Sequence, residues 1–140
     1  MNIAIVLIIA LLPTAPPPTT GTLTVEVSGM DRIDGTVRIG LYQGADDFLA
    51  PDRVLYGADV RVDARIVRHT FRNLPAGEYA ISIFHDENDN GVLDTGWFGI
   101  PKEPYGFGND ARGSFGPPDY RDVVLRLSEG ESVRTSVRVK

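Results

Sequence analysis

The chain has 140 residues, a formal charge of −5 from 14 basic and 19 acidic side chains, and no cysteine. That length fits one domain with its own core. The missing cysteine excludes a disulfide scaffold, a cysteine nucleophile and a thiolate metal site, and the acidic balance argues against a nucleic-acid-binding face.

Met1 to Thr20 carry no charged side chain, and Ile3 to Leu12 form an apolar run closed by Pro13. A helix that spans a bilayer needs about 20 apolar residues, so this run is too short to cross. It reads as the apolar region of a secretory signal, with no Lys or Arg ahead of it. Residues 1–20 are therefore expected to be a signal peptide or N-terminal hydrophobic segment with a Pro-rich tail. Residues 21–140 form the single folded domain, with no membrane span once the signal is removed.

Period-two alternation dominates that domain. Leu23, Val25 and Val27 alternate with polar residues, as do Val37, Ile39 and Leu41 after the Asp34-Gly35 turn. Asp46 to Leu49 break the pattern as one helical turn before Pro51. Val60 and Val62 share a face, then Val67, His69 and Phe71, then Tyr79, Ile81, Ile83 and His85. Val123, Leu125 and Leu127 form another alternating run, Glu129-Gly130 a tight turn, and Val133 to Val139 the last. About seven short strands, each with one apolar face, predict an all-β fold. An antiparallel β-sandwich is the expected form.

The segment Asp86 to Asp119 is different. Its 34 residues hold seven Gly and four Pro, together with Trp97, Phe98, Tyr105, Phe107 and Phe115. A loop of that length is usually functional. Its aromatics predict an ordered, self-packed loop, with rings that either cap an open end of the core or form a ligand platform.

One constellation in this loop carries chemistry. Counting Asp86 as one, side-chain oxygens fall at one, three, five and nine, in Asp86, Asn88, Asn90 and Asp94. Gly91 is at six, and the Val92 carbonyl is at seven. This is the ligand order of a calcium loop, in which the chain curls so that alternate oxygens face one ion. Position twelve is Trp97, which supplies no carboxylate, so a distant residue must close the shell: Glu103 first, Asp110 second. Five acids and no base lie between Arg72 and Lys102, and such a run repels itself unless a cation or solvent relieves it. The alternative is an acidic turn without metal, since Asp, Asn and Gly are ordinary turn residues. With so few carboxylates the Ca²⁺ site would be weak, roughly 10⁻⁴–10⁻³ M. His85 and His69 are the only histidines, and both read as structural. Nucleophile-elbow and phosphate-loop spacings are missing.

Two stretches carry a resemblance. Phe71-x-x-Leu74-Pro75-x-Gly77-x-Tyr79 resembles the strand–turn–strand signature of prealbumin-like and carboxypeptidase-regulatory-like sandwiches. Phe84-His85-Asp86-Glu87-Asn88 through Asp94-Thr95, Gly99-Ile100-Pro101-x-Glu103-x-Tyr105-Gly106-Phe107 and Ala111-Arg112-Gly113-x-Phe115-Gly116-Pro117-Pro118 resemble the exported bacterial family known as domain of unknown function 2141. That resemblance implies a periplasmic or secreted β-rich domain and supplies no activity. The expected function is thus an exported, monomeric, non-catalytic binding or accessory module of the cell envelope. Asp86, Asn88, Asn90, Val92, Asp94 and Glu103 would hold Ca²⁺, and Trp97, Tyr105 and Phe107 would present a platform for an extracellular glycan or peptide. One alternative is a hydrolase that uses His85, Asp86 and Glu103; another is a purely structural envelope protein.

Overall fold

The computed structural model describes residues 15–17 and 19–140; the expected signal segment lies almost wholly outside the described residues. Eight strands follow one another: β1 (Gly21–Ser28), β2 (Thr36–Tyr42), β3 (Tyr56–Arg61), β4 (Ile66–Leu74), β5 (Gly77–Asp86), β6 (Tyr105–Phe107), β7 (Val124–Leu127) and β8 (Ser132–Arg138). Among the described residues the one α-helical turn is Tyr120–Val123. Turns or 3₁₀ segments occupy Pro51–Arg53, Trp97–Gly99 and Gly108–Asp110.

The strands make two sheets. One has the order β4-β1-β8, and the other runs β3-β2-β5-β6, with β7 also paired to β5. β5 is the longest strand and takes two short partners along one edge: β7 beside Gly77 to Ala80 and β6 beside Ser82 to Phe84. The alternating apolar residues read from the sequence face each other between the sheets. Leu23, Val25, Val27, Val67, Phe71 and Val137 from one side meet Val37, Ile39, Leu41, Tyr79, Ile81 and Ile83 from the other. This β-sandwich is the expected fold class, because an alternating strand can hide its apolar face only against a second sheet.

Two local expectations change. The loop from Asp86 to Asp119 is not free of strands, because Tyr105–Phe107 pair with β5 as β6. The tight turn at Glu129-Gly130 is present, with the Glu131 amide donating to the Ser128 carbonyl at 3.1 Å, and it carries the chain from β7 in one sheet to β8 in the other. β8 runs parallel to β1, Thr22 facing Ser132 through Ser28 facing Arg138, so one pair in the sandwich is not antiparallel. Alternation identifies a strand and its buried face, but both directions of pairing bury that face equally well.

The Leu74-Pro75-Ala76-Gly77 turn joins β4 to β5, and the buried Tyr79 hydroxyl donates back to the Pro75 carbonyl at 2.7 Å. A phenol inside a core needs such a partner. Burial also pushes its pKa upward.

Candidate functional site

Two features of the five-stranded sheet stand out: the 86–94 loop at the end of β5, and a groove across the sheet's outer face.

The loop begins at Asp86, the last residue of β5 and wholly buried. Its Oδ2 accepts from Arg38 Nε at 2.7 Å and from the Gly91 amide at 2.8 Å, while Oδ1 accepts from the Asn90 amide at 3.1 Å. The register explains the ion pair: Thr36 faces Asp86 and Arg38 faces Phe84, so Arg38 and Asp86 are diagonal neighbours on one face. Burial pushes the Asp86 pKa up, but the Arg38 hydrogen bond, the two amides and the Arg38 charge outweigh it, and the net shift is downward. The Asn88 and Asn90 side-chain oxygens accept from the amides of Asn90 and Val92. Their side-chain amides both donate to the Asp94 carboxylate, at 2.6 and 2.9 Å. Asp89 and Gly91 carry the left-handed backbone, φ 57° and 86°, that curls the chain. A Cβ at Gly91 would meet nothing closer than 4.0 Å, so glycine is needed there for conformation, not for space.

Glu103, the distant carboxylate expected to close the shell, comes to this loop and is buried. Its Oε1 accepts from the Glu87 amide at 2.9 Å and its Oε2 from the Asp94 amide at 3.0 Å, so one carboxylate ties both ends of the loop. Asp110 does not join it, because its Oδ1 accepts from the Arg138 amide of β8 at 2.7 Å. The charge argument also changes. The acids lack bases along the chain, but Arg38 of β2 pairs with Asp86, and Arg61 of β3 pairs with Asp89 at 2.8 Å. Asp89 also accepts from the Thr36 hydroxyl, and with Arg61 this holds its pKa below the ordinary range. Among the described residues no three His, Asp or Glu side chains converge as a ready metal cluster. Asn88, Asp94, Glu87 and Glu103 instead border a polar cleft with Arg32, Thr95 and Lys102.

His85 is buried, and its Nε2 donates to the Asp34 carbonyl at 2.7 Å. A carbonyl can only accept, so this bond fixes the proton on Nε2. Nδ1 finds no hydrogen-bond partner among the described residues and lies 3.9 Å from a Glu87 carboxylate oxygen. His85, Asp86 and Glu103, the residues of the hydrolase alternative, are all buried, and none lines the groove. His69 is half-buried, stacks edge-on against Phe71 at 4.5 Å, and has its pKa lowered by burial.

The groove was not legible as a site in the sequence. Gly57 of β3 faces Gly40 of β2, Gly40 faces Ser82 of β5, and Ser82 faces Phe107 of β6. Three neighbouring strands thus place two glycines and a serine in one row. The next row on one side is Asp59, Arg38, Phe84 and Tyr105. On the other side Tyr42 closes the trough, together with Leu49 and Pro51 from the β2–β3 loop. Val92 and Leu93 of the 86–94 loop form part of the rim. The cavity measures about 670 Å³ and adjoins a second of about 290 Å³ lined by Phe84, Tyr105, Phe107, Pro101 and Pro117. Neither strand glycine has a left-handed backbone. A Cβ at Gly57 would find only ordinary contacts, at 3.7 Å and beyond. Glycine inside a strand weakens it, and where the fold does not demand it, it marks a place that something else approaches closely. Gly40 and Gly57, inside strand-forming runs, are the signal the sequence holds for it.

The expected aromatic platform divides. Phe107 is buried and packs near Phe48 and Tyr105, at centroid distances of 6.1 and 5.8 Å. Tyr105 is half-buried, and both line the smaller cavity. Trp97 stands apart, exposed with Phe98 at the tip of a separate hairpin.

The architecture is a two-sheet all-β sandwich with a trough on the outer face of its five-stranded sheet. The chain matches, over residues 25–135, the family described as uncharacterised protein conserved in bacteria, domain of unknown function 2141, and it belongs to that family. No curated protein and no solved structure matches the chain.

Proposed function

We propose that this chain is an exported, monomeric, non-catalytic binding module of the bacterial cell envelope that takes its ligand in the outer-face groove. The observation that carries the reading is the Gly57–Gly40–Ser82 row, a trough in which Gly57 leaves open a space that a side chain could fill without a clash. Strand spacing makes the row about 10 Å long, and the walls two residues away on either side stand roughly 14 Å apart. Aromatic walls at Phe84 and Tyr105 with hydroxyls at Tyr42 and Ser82 suit a ligand that has flat apolar faces and hydroxyl groups. That is the chemistry of a glycan.

Gly57→Val tests this. The methyl groups enter the trough from an edge strand, where a β-branched residue is well accommodated. Thermal shift and NMR titration with a panel of oligosaccharides and tripeptides should show a response in the natural chain that Gly57→Val loses at unchanged or raised stability. Response to tripeptides alone would change the ligand class. Equal responses in both proteins, or none in either, would refute the groove as the site.

Calcium belongs to the same proposal as a weak structural ligand of the 86–94 loop. The ligand order and the left-handed curl at Asp89 and Gly91 support it. Arg38 and Arg61 already supply positive charge there, so the effect should be small. The informative variant is Asp94→Ala, because Asp86 is committed to Arg38 and to two amides. In excess EDTA and then in about 5 mM CaCl₂, with MgCl₂ as control, the unfolding midpoint should rise selectively with Ca²⁺. The limit is several degrees, since a ligand at ten times its dissociation constant stabilises by about 1.4 kcal/mol. A rise unchanged in Asp94→Ala would rule out this loop.

A further inference from the structure

We infer that the loops Thr95–Pro101 and Gly113–Pro118 form a membrane-contacting edge that seats Trp97, Phe98, Ile100 and Phe115 in the interfacial zone of a phospholipid bilayer. This inference does not rest on the groove or its ligand.

The first loop is a hairpin. Lys102 donates its amide to Asp94 at 2.8 Å and Gly96 donates to Ile100 at 2.7 Å, while Thr95 and Pro101 form a bridge. Glu103 anchors the base through the Asp94 amide. The tip is therefore held, yet its side chains are not: Trp97 is 87% exposed, Phe98 98% and Ile100 64%. In the second loop Phe115 is 106% exposed. The two loops are neighbours, since Gly99 and Pro101 from one and Gly116 and Pro117 from the other line the same small cavity. Phe98 also holds a left-handed backbone, φ 59° and ψ 23°, which bulky residues avoid. The fold thus keeps a strained aromatic residue that packs against almost nothing.

The chemistry of the tips selects the partner. Neither loop contains a charged side chain, and only Thr95, Ser114 and the Trp97 indole offer side-chain hydrogen-bonding groups. The rings stand exposed, whereas small ligands are enclosed in concave sites. A protein interface of any strength needs a closely packed patch with a satisfied polar rim. Two neighbouring loops that expose rings and carry no charge of their own fit a deformable medium better. A bilayer interface accepts such rings directly, and tryptophan, apolar with one N–H, is enriched there. With a net charge of −5, the chain should favour zwitterionic over anionic lipid, and the binding should depend little on salt.

Trp97 is the only tryptophan, so its emission reports the tip alone. The full chain is mixed with phosphatidylcholine vesicles, with and without brominated acyl chains, and compared with Phe98→Ser and Phe115→Ser. The apolar run Ile3–Leu12 is present in all three, so differences between them belong to the loops. The expected result is a blue shift of Trp97 emission, quenching by the brominated chains, and vesicle partitioning weakened about tenfold by each substitution. Unchanged thermal midpoints in the variants would show that the fold is intact. An unshifted emission, or partitioning equal in all three proteins, overturns the inference. So does a blue shift that appears without vesicles as protein concentration rises, which would assign the tips to a second copy of the chain.

Discussion

At the scale of single residues, the two carboxylates with the strongest claim to chemistry turn out to be fasteners. Asp86 gathers Arg38 and the amides of Gly91 and Asn90, and Glu103 gathers the amides of Glu87 and Asp94. Asp86 was legible from its place in the ligand spacing, and Glu103 only as the distant carboxylate chosen to close the shell. What the spacing could not show is which partner each acceptor takes, since Arg38 lies 48 residues away from Asp86. The arrangement has a pH signature. Asp86 is depressed in the folded state, so the stability its ionised form supplies is complete above the unfolded value of about 4. It is lost as pH falls through the lower folded value. Asp86→Asn should cost on the order of 2 kcal/mol at neutral pH by weakening a charge-assisted bond. It should also flatten the acid limb of the unfolding midpoint below about pH 4, as read by thermal melts at falling pH. A variant whose acid limb matches the natural chain would show that Asp86 is not the group being titrated.

At the scale of elements, the alternating strands and the long loop obey different rules. β1, β2, β4 and β5 were evident because each must bury one side, and the buried residues are those the period selected. β6 was hidden, since Tyr105-Gly106-Phe107 is too short to show alternation and becomes a strand only because β5 offers an edge. The loop's aromatics also split. Tyr105 and Phe107 pack into an outer cluster with Tyr42 and Phe48, whereas Trp97, Phe98 and Phe115 remain exposed. Hydrophobicity alone leaves both capping and an exposed platform open for all five, and position decides between them, because rings on tight turns have no neighbouring surface to meet. Phe98→Gly isolates the local cost. It removes the left-handed penalty, roughly 1–2 kcal/mol for a side chain, against the added freedom of glycine in the unfolded chain, about 0.4–1 kcal/mol. Thermal unfolding should show a net gain of up to about 1 kcal/mol, and a loss of stability would mean that the exposed ring has a packing role in the fold.

At the scale of the molecule, the sandwich is completed by its own ends. β1 sits between β4 and β8, with every residue from Thr22 to Ser28 paired to a residue of β8. β8 also contributes Val137 to the core. The 108–112 segment docks against its end through Asp110 and Arg112, both bonded to Arg138 backbone atoms. Removing residues 132–140 should therefore abolish the cooperative transition instead of lowering its midpoint, because a central strand loses a whole ladder and becomes an open edge. Circular dichroism melts of the truncated chain decide this: a sharp transition would show that β4-β1 pairing suffices.

Local pattern in the chain was enough to give the all-β class. Alternation set the strands and the face each one buries, glycine at 91 set the curl of the acidic loop, and the lack of cysteine excluded a disulfide. These are short-range properties, in which a residue's own backbone preference and its immediate neighbours decide the outcome. The tertiary structure decided everything that joins distant segments. It ran β8 parallel to β1, brought Arg38 to Asp86, and placed Gly57, Gly40 and Ser82 in one row across three strands. A strand's pattern fixes which side is buried but not which strand lies next to it, and both the groove and the neutralised acidic loop are made between neighbours.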